Sequence, residues 1–441
     1  MNMKKVFVMC AALALLSAVS AQGQPQSRTY LEYKGPDGNI LQLQGAGDPD
    51  PGNYWWYDIP GGSYRAPAQT DYAWVHNGTT TTLSSALSVD RFFVNFKHDT
   101  YSTADPATTV YIVNGGSLNL YGTGAVYSAR SLRLGKTGTA NLYLQEGGSM
   151  TNLRRFYVGI ESNYGDNFTS TFNMSGGYVR TEQIAIGLSN TTGVVNLSGG
   201  RMDVYGSVQI GTGEQGNGRG YLNISGGSLV IPVNDHIWVG LEQSAQGTVN
   251  QTGGLVMLGG WGELKIGDVG QGVYRLTGGT VKMGVMGSNM TLGAWRADSS
   301  GRLILGQGGT ILRGQGGRVM MGPYGTSVEL LLGSDADFNW EASGWGAGNT
   351  TSIAGDLIAT VLEGYAPEMY REWRFMRVFG GGPIEGEFSS VTPGFTYEKR
   401  PVYDGGKIFA TDLVLIKIPE PATMGLLALG ALGMLRRRKA G

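Results

Sequence analysis

Cysteine is almost missing: the single one, Cys10, lies in an N-terminal stretch that reads as an export signal. The exported chain would hold none, which excludes disulfides, thiolate catalysis and cysteine-ligated metal. Charge is scarce too, at 15% Asp, Glu, Lys and Arg against a usual ~25%. Setting aside Lys4, Lys5, Glu420, Arg436, Arg437, Arg438 and Lys439 at the two ends, the body keeps 27 basic and 33 acidic residues. An acidic body without a basic run excludes nucleic acid as a partner. Proline is limited to 15 of 441 residues and the glycines keep no three-residue period, which excludes collagen. The three histidines, His76, His98 and His236, share no repeat offset. No apolar run reaches the ~20 residues of a full membrane-spanning helix.

Glycine, by contrast, is abundant: 74 residues, more than twice the usual ~7% share. With 41% hydrophobic and 10% aromatic residues, the chain has material for a core and is not disordered. Many tight turns between short apolar segments are expected.

Residues 1–21 carry Lys4-Lys5, an apolar run from Val6 to Leu16 and small residues from Ser17 to Ala21. Val19 and Ala21 fit the −3 and −1 positions of a signal-peptidase site, so cleavage is expected after Ala21. The other end, residues 418–441, reads Ile418, Pro419-Glu420-Pro421, an apolar run from Met424 to Leu435, then Arg436-Arg437-Arg438-Lys439. As a short C-terminal hydrophobic helix that run reaches about 18 Å, less than the ~30 Å hydrocarbon layer. The basic cluster would stay on the cytoplasmic side and hold everything upstream outside. This constellation resembles the PEP-CTERM sorting domain of envelope-bearing bacteria. The resemblance implies an exosortase-type membrane protease and export machinery as partners. It also implies cleavage near Pro419, Glu420 and Pro421, transient residence in the inner membrane, and delivery to the outer envelope or an exopolysaccharide matrix.

Between these ends one pattern recurs eight times. Glycine pairs stand at 115–116, 147–148, 176–177, 199–200, 226–227, 253–254, 278–279 and 308–309. Two residues after each comes an apolar side chain: Leu118, Met150, Val179, Met202, Leu229, Val256, Val281 and Ile311. An apolar residue followed by glycine is the second mark, at Leu134, Val158, Ile186, Ile210, Val239, Ile266, Leu292 and Met321. Around both marks apolar and polar residues alternate with strand period. A unit of ~25 residues cannot cover its own apolar face and must stack on its neighbours. Glycine density excludes helical repeats, and the units are too short for propeller blades. The expected fold is all-β, a right-handed parallel β-helix over residues 71–334, whose eight coils would rise roughly 40 Å at the ~4.8 Å strand spacing. Asn173, Asn196, Asn223 and Asn250 recur three residues before the glycine pair, with Ser175, Ser198, Ser225, Thr252 and Thr277 just before it. Stacked coils would place them in hydrogen-bonded columns, although three of the asparagines also spell a glycosylation acceptor. The repeats resemble autotransporter-passenger-like β-helix repeats, a likeness that speaks to fold.

Residues 22–70, rich in glycine, proline and the aromatic cluster Tyr54-Trp55-Trp56-Tyr57, read as an irregular N-terminal cap over an open coil end. Residues 335–417, with Trp340, Trp345, Trp373, Phe375, Phe379, Phe388 and Phe395 and a hairpin signal at 403–409, read as a C-terminal β cap. Catalytic constellations are not evident. β-Helix lyases and hydrolases resemble one another in grouped aspartates or a G-H-G turn, and neither is present. Asp203, Asp235, Glu242 and Asp268 fall in separate coils at different offsets, although paired carboxylates must stand ~5 to 9.5 Å apart. No cofactor, metal or catalytic residue is expected. The reading is a non-enzymatic exported protein of the cell surface or extracellular matrix, with a carbohydrate-binding adhesin, or a β-helix polysaccharide lyase or hydrolase, as alternatives.

Overall fold

The computed structural model describes residues 30–33, 36–39, 56–58, 63–68, 71–75, 78–95, 105–120, 130–136, 138–160, 168–213, 217–284, 288–293, 298–314, 317–343, 350–380 and 383–419. Every regular element among them is a β-strand. Three ladders of parallel pairs run along one axis, so the chain is a parallel β-solenoid with three faces. Face 1 stacks Gly138–Leu144 on Thr169–Met174, then Thr192–Leu197, then Arg219–Ile224. Face 2 follows the glycine pair, and pairs residues 178–181 with Arg201–Val204 and these with Ser228–Ile231. Face 3 carries the second mark, and stacks Val208–Thr212, Ile237–Val239 and Leu264–Ile266.

Both sets of apolar marks point inward, because alternate residues of a strand face opposite ways. The eight after the glycine pairs are at most 2% exposed, and the eight before single glycines at most 5%. They belong to one continuous core that runs from Tyr33 to Leu415. The glycines are required by the turns. Gly227 has φ of +66°, and a Cβ there would lie 2.8 Å from the backbone of Gly199 and Gly200 in the preceding coil. No L-residue fits without moving that coil.

Asn196 Nδ2 donates to Asn173 Oδ1 at 2.7 Å, Asn223 to Asn196 at 2.8 Å, and Asn250 to Asn223 at 2.9 Å. The asparagine column is therefore a ladder along face 1. In Asn196 and Asn223, two of the residues that spell acceptor sites, the amide nitrogen is a donor within it. The hydroxyl column is weaker: Ser175, Ser198, Ser225 and Thr252 are exposed, and Ser198 Oγ reaches the Met174 carbonyl at 3.3 Å.

Parallel pairing extends beyond the glycine-pair coils at both ends. Upstream, Thr80–Leu83 pairs with Asp105–Ile112, and Tyr72–Val75 with Arg91–Val94. Downstream, Thr326–Leu332 pairs with Asp356–Val361, and this with Ser390–Val391. The winding thus runs past residue 334, where the sequence reading ends the repeat domain, and the aromatic segment supplies further turns before any antiparallel element. Trp340, Trp373 and Phe375 lie inside them, at most 2% exposed. The hairpin expected around residues 403–409 joins Phe395–Asp404 to Lys407–Lys417, and the latter pairs antiparallel with Glu372–Phe379. At the other end Tyr30–Tyr33 pairs parallel with Tyr72–Val75 and Gly38–Asn39 with Thr80–Leu83, so the winding also begins before residue 71, inside the segment expected to be an irregular cap. There Tyr30–Tyr33 and Trp56–Asp58 pair antiparallel, and Trp56 is fully buried against Tyr33. Residues 1–21 and the expected C-terminal helix lie outside the described residues, among which no helix is long and apolar enough to cross a membrane.

Candidate functional site

The outer surface of face 3 is unlike the other two. Its outward column reads Trp74, Phe93, Arg133, Tyr157, Ala185, Gln209, Trp238 and Lys265, one residue per rung. At the upper end Tyr72, Trp74, Phe93 and Ile160 form a second apolar cluster outside the coil, with Tyr157 and Leu188 packed against it. Arg91 lies over the Tyr72 ring at 4.3 Å, and Arg133 sits between the rings of Phe93 and Tyr157, at 5.8 and 5.5 Å. Burial lowers the Arg133 pKa, and the neighbouring charges of Arg91 and Arg155 lower it further, against an opposing pull from Tyr157. Rings on both sides compensate part of that desolvation.

Just below this stack the column narrows to Ala185, and a cavity of about 340 Å³ opens there. Arg155, Tyr157, Gln183, Ala185, Gln209 and Glu242 line it. Arg155 Nη1 donates to the Tyr157 hydroxyl at 2.8 Å, which fixes the ring at the upper edge. Trp238, one rung below Gln209, is half-buried and tilted against His236 with centroids 5.0 Å apart.

The acidic residues singled out in the sequence do not converge. Asp203 accepts from Tyr178 Oη at 2.9 Å and Arg201 Nε at 2.8 Å, and burial followed by this bond raises the Tyr178 pKa. Asp235 Oδ1 accepts from the His236 backbone at 2.8 Å. His236 Nδ1 stands 3.7 Å from Glu263. Glu242 alone of the four lines the cavity. No group of three metal-ligating side chains occurs among the described residues. His76 and His98 lie outside them.

At the C-terminal end the strand Lys407–Lys417 is held to its last residue. Lys417 N donates to Arg371 O at 2.9 Å, Tyr370 N to Lys417 O at 2.8 Å, and Ile418 N to Gly394 O at 2.9 Å. Pro419 follows at once, half-buried. Residues 417–439 match the family model of the PEP-CTERM protein-sorting motif. The chain ends in a PEP-CTERM motif. That motif implies exosortase-type processing and export to the cell surface. Of the PEP-CTERM residues only Pro419 is described; Glu420, Pro421, Arg436, Arg437, Arg438 and Lys439 lie outside, as does Ala21 at the other terminus. No curated protein matches the chain.

Sequence reading missed the face 3 cavity. Its signal was available in the repeat alignment: Ala185 stands in a column otherwise filled by Tyr157, Gln209 and Trp238, but the outward positions carry no periodic mark. Another signal passed over is the column Gly193, Gly220, Gly247, Gly272 and Gly301 on face 1. A Cβ on Gly247 would lie 2.3 Å from the Gly240 nitrogen.

Proposed function

We propose that this protein is a non-enzymatic, exported β-solenoid of the cell surface or extracellular matrix. Its N-terminal signal is removed after Ala21, and its C-terminal tail inserts in the inner membrane until an exosortase-type protease cuts near Pro419, Glu420 and Pro421. A right-handed winding follows the strong preference of parallel crossovers, and the antiparallel elements at the two ends act as caps that keep coil edges from pairing with other chains. The scattered carboxylates support the non-enzymatic reading.

One observation carries the proposal: the PEP-CTERM match begins at residue 417, with no spacer between the last hydrogen-bonded strand and the motif. Six residues, 418–423, separate that strand from the apolar run, a reach of about 20 Å fully extended. The folded end therefore stands close to the bilayer while the tail is inserted. Mass spectrometry of the C-terminus in a host with an exosortase should find chains ending near Pro419–Pro421, and an intact tail overturns the proposal. Placing a flexible Gly-Ser spacer between Ile418 and Pro419 should speed cleavage several-fold, because the last strand no longer has to peel from Arg371 and Gly394 to expose the site.

A further inference from the structure

We infer that the cavity on face 3 binds a neutral, hydroxyl-rich glycan, with a sugar ring against Tyr157. Three features of the column make the site. Ala185 removes the side chain that would fill the face, and it is the only small residue between Arg133 and Lys265 in that column. Tyr157 stands at the upper edge of the gap, and Ser189 and Thr212 add hydroxyls to the lining. Gln183 and Gln209 present amides to the same space, each both donor and acceptor as sugar hydroxyls require, and Gln209 Nε2 is placed by a 3.3 Å bond to Ser207 Oγ.

Charge selects the class. One arginine, Arg155, and one carboxylate, Glu242, line the cavity, and Arg155 already donates to Tyr157. Such a balanced set favours neither an anionic nor a cationic ligand, and both groups can hydrogen-bond hydroxyls with charge-assisted strength. At 340 Å³ the space lies at the small end of ligand sites, too small to seat a protein element. Rings that are apolar on the face and polar at the rim suit a saccharide, which has both kinds of surface. Rungs that repeat every ~4.8 Å favour a ligand that is itself a repeating chain.

This inference deepens the surface reading above, and the two can fail separately, because sorting is read from the mass of the C-terminus and binding from the purified chain. The full chain, in a zwitterionic detergent, is tested against immobilised neutral gluco-, manno- and galacto-oligosaccharides and their uronic-acid counterparts. The wild type should be captured by at least one neutral series. Ala185→Trp, which fills the gap, should abolish capture. Gln209→Ala, which leaves the gap open but removes one amide, should weaken it by about tenfold. Thr248→Trp, at an outward position on face 1, should bind as the wild type does. Capture by no neutral series, capture by uronic acids alone, or wild-type binding by both cavity variants overturns the proposal. If Ala185→Trp loses the β-sheet circular dichroism of the parent, Gln209→Ala decides.

Discussion

The coils between Thr169 and Leu312 and the turns after Met321 wind about the same axis by different means. In the first region the chain turns on glycine pairs so tight that coil touches coil through backbone, and Asn173 to Asn250 bond rung to rung at 2.7 to 2.9 Å. In the second, the turns are made by longer segments such as 333–338 and 362–371, and the interior is filled by Trp340, Trp373, Phe375 and Phe388. Ion pairs replace the asparagine ladder outside: Arg377 holds Asp412 with two bonds of 2.7 Å, and Arg400 holds Glu372 with bonds of 2.6 and 2.7 Å. The contrast teaches that a solenoid needs parallel pairing and a filled interior, while the glycine pair is one way of turning the corner.

The same substitution should separate the two regions most strongly. Gly227 and Gly406 both have positive φ, +66° and +82°, but a Cβ on Gly227 meets the preceding coil's backbone at 2.8 Å whereas one on Gly406 meets nothing within 4 Å. Gly406→Ala should cost only the left-handed strain, about 1–2 kcal/mol. Gly227→Ala adds displacement of Gly199 and Gly200 and should cost more than ~3 kcal/mol. Native-state hydrogen exchange measures each locally, as is needed where a repeat array does not unfold in one step. Equal losses at the two sites would show that the backbone contact between coils carries no weight.

A smaller effect is expected inside the glycine-pair coils, at a rung where the interior turns polar. Gln251 occupies a column position filled by Met174, Leu197, Ile224 and Leu276 in neighbouring coils. The buried Tyr274 donates its hydroxyl to Gln251 Oε1 at 2.6 Å, while Gln251 Nε2 reaches Thr280 O at 3.2 Å. Burial alone pushes the Tyr274 pKa far up, so this hydroxyl stays protonated as a donor. Tyr274→Phe strands a buried acceptor and should cost about 1–3 kcal/mol. Tyr274→Phe combined with Gln251→Leu should recover most of that loss, because an apolar pair leaves no orphan. Failure of the double variant to recover would mean that Gln251 holds the turn at Gly254 rather than filling the core.

Much of the winding was legible because its constraints are local. Gly227 and Val179 each answer to one turn or one inward position, and such positions recur at a fixed offset in every coil. The turns around Trp340 and Trp373 were not legible as coils: a large aromatic can fill an interior from several offsets, so burial leaves no period. The tail was readable since Pro419-Glu420-Pro421, the apolar run and the basic cluster are contiguous in sequence. The face 3 cavity was not, since it depends on Tyr157, Ala185, Gln209 and Glu242 coming together from four coils. An outward alanine acquires meaning only once its column is known.

The smallest expected effect tests whether the ion pairs of the C-terminal turns do what the asparagine ladder does elsewhere. Arg400 holds the Glu372 carboxyl below its ordinary pKa, and Lys399, with a contribution from the Tyr397 hydroxyl, does the same for Glu387. A carboxyl lowered in the folded state contributes stability above its unfolded value, ~4.3 for glutamate, and loses it as pH falls through the folded value. Acidification below about pH 4 should therefore loosen the Phe395–Asp404 and Lys407–Lys417 hairpin before the coils from Thr169 to Leu258, whose asparagine ladder does not titrate. Both carboxylates are largely exposed, so solvent screening keeps the contribution small. Arg400→Met should leave the neutral-pH fold intact and flatten the acid dependence of hydrogen exchange in the hairpin. An unchanged acid profile in that variant would assign the hairpin's stability to Trp373, Phe395 and Leu415 beneath it instead.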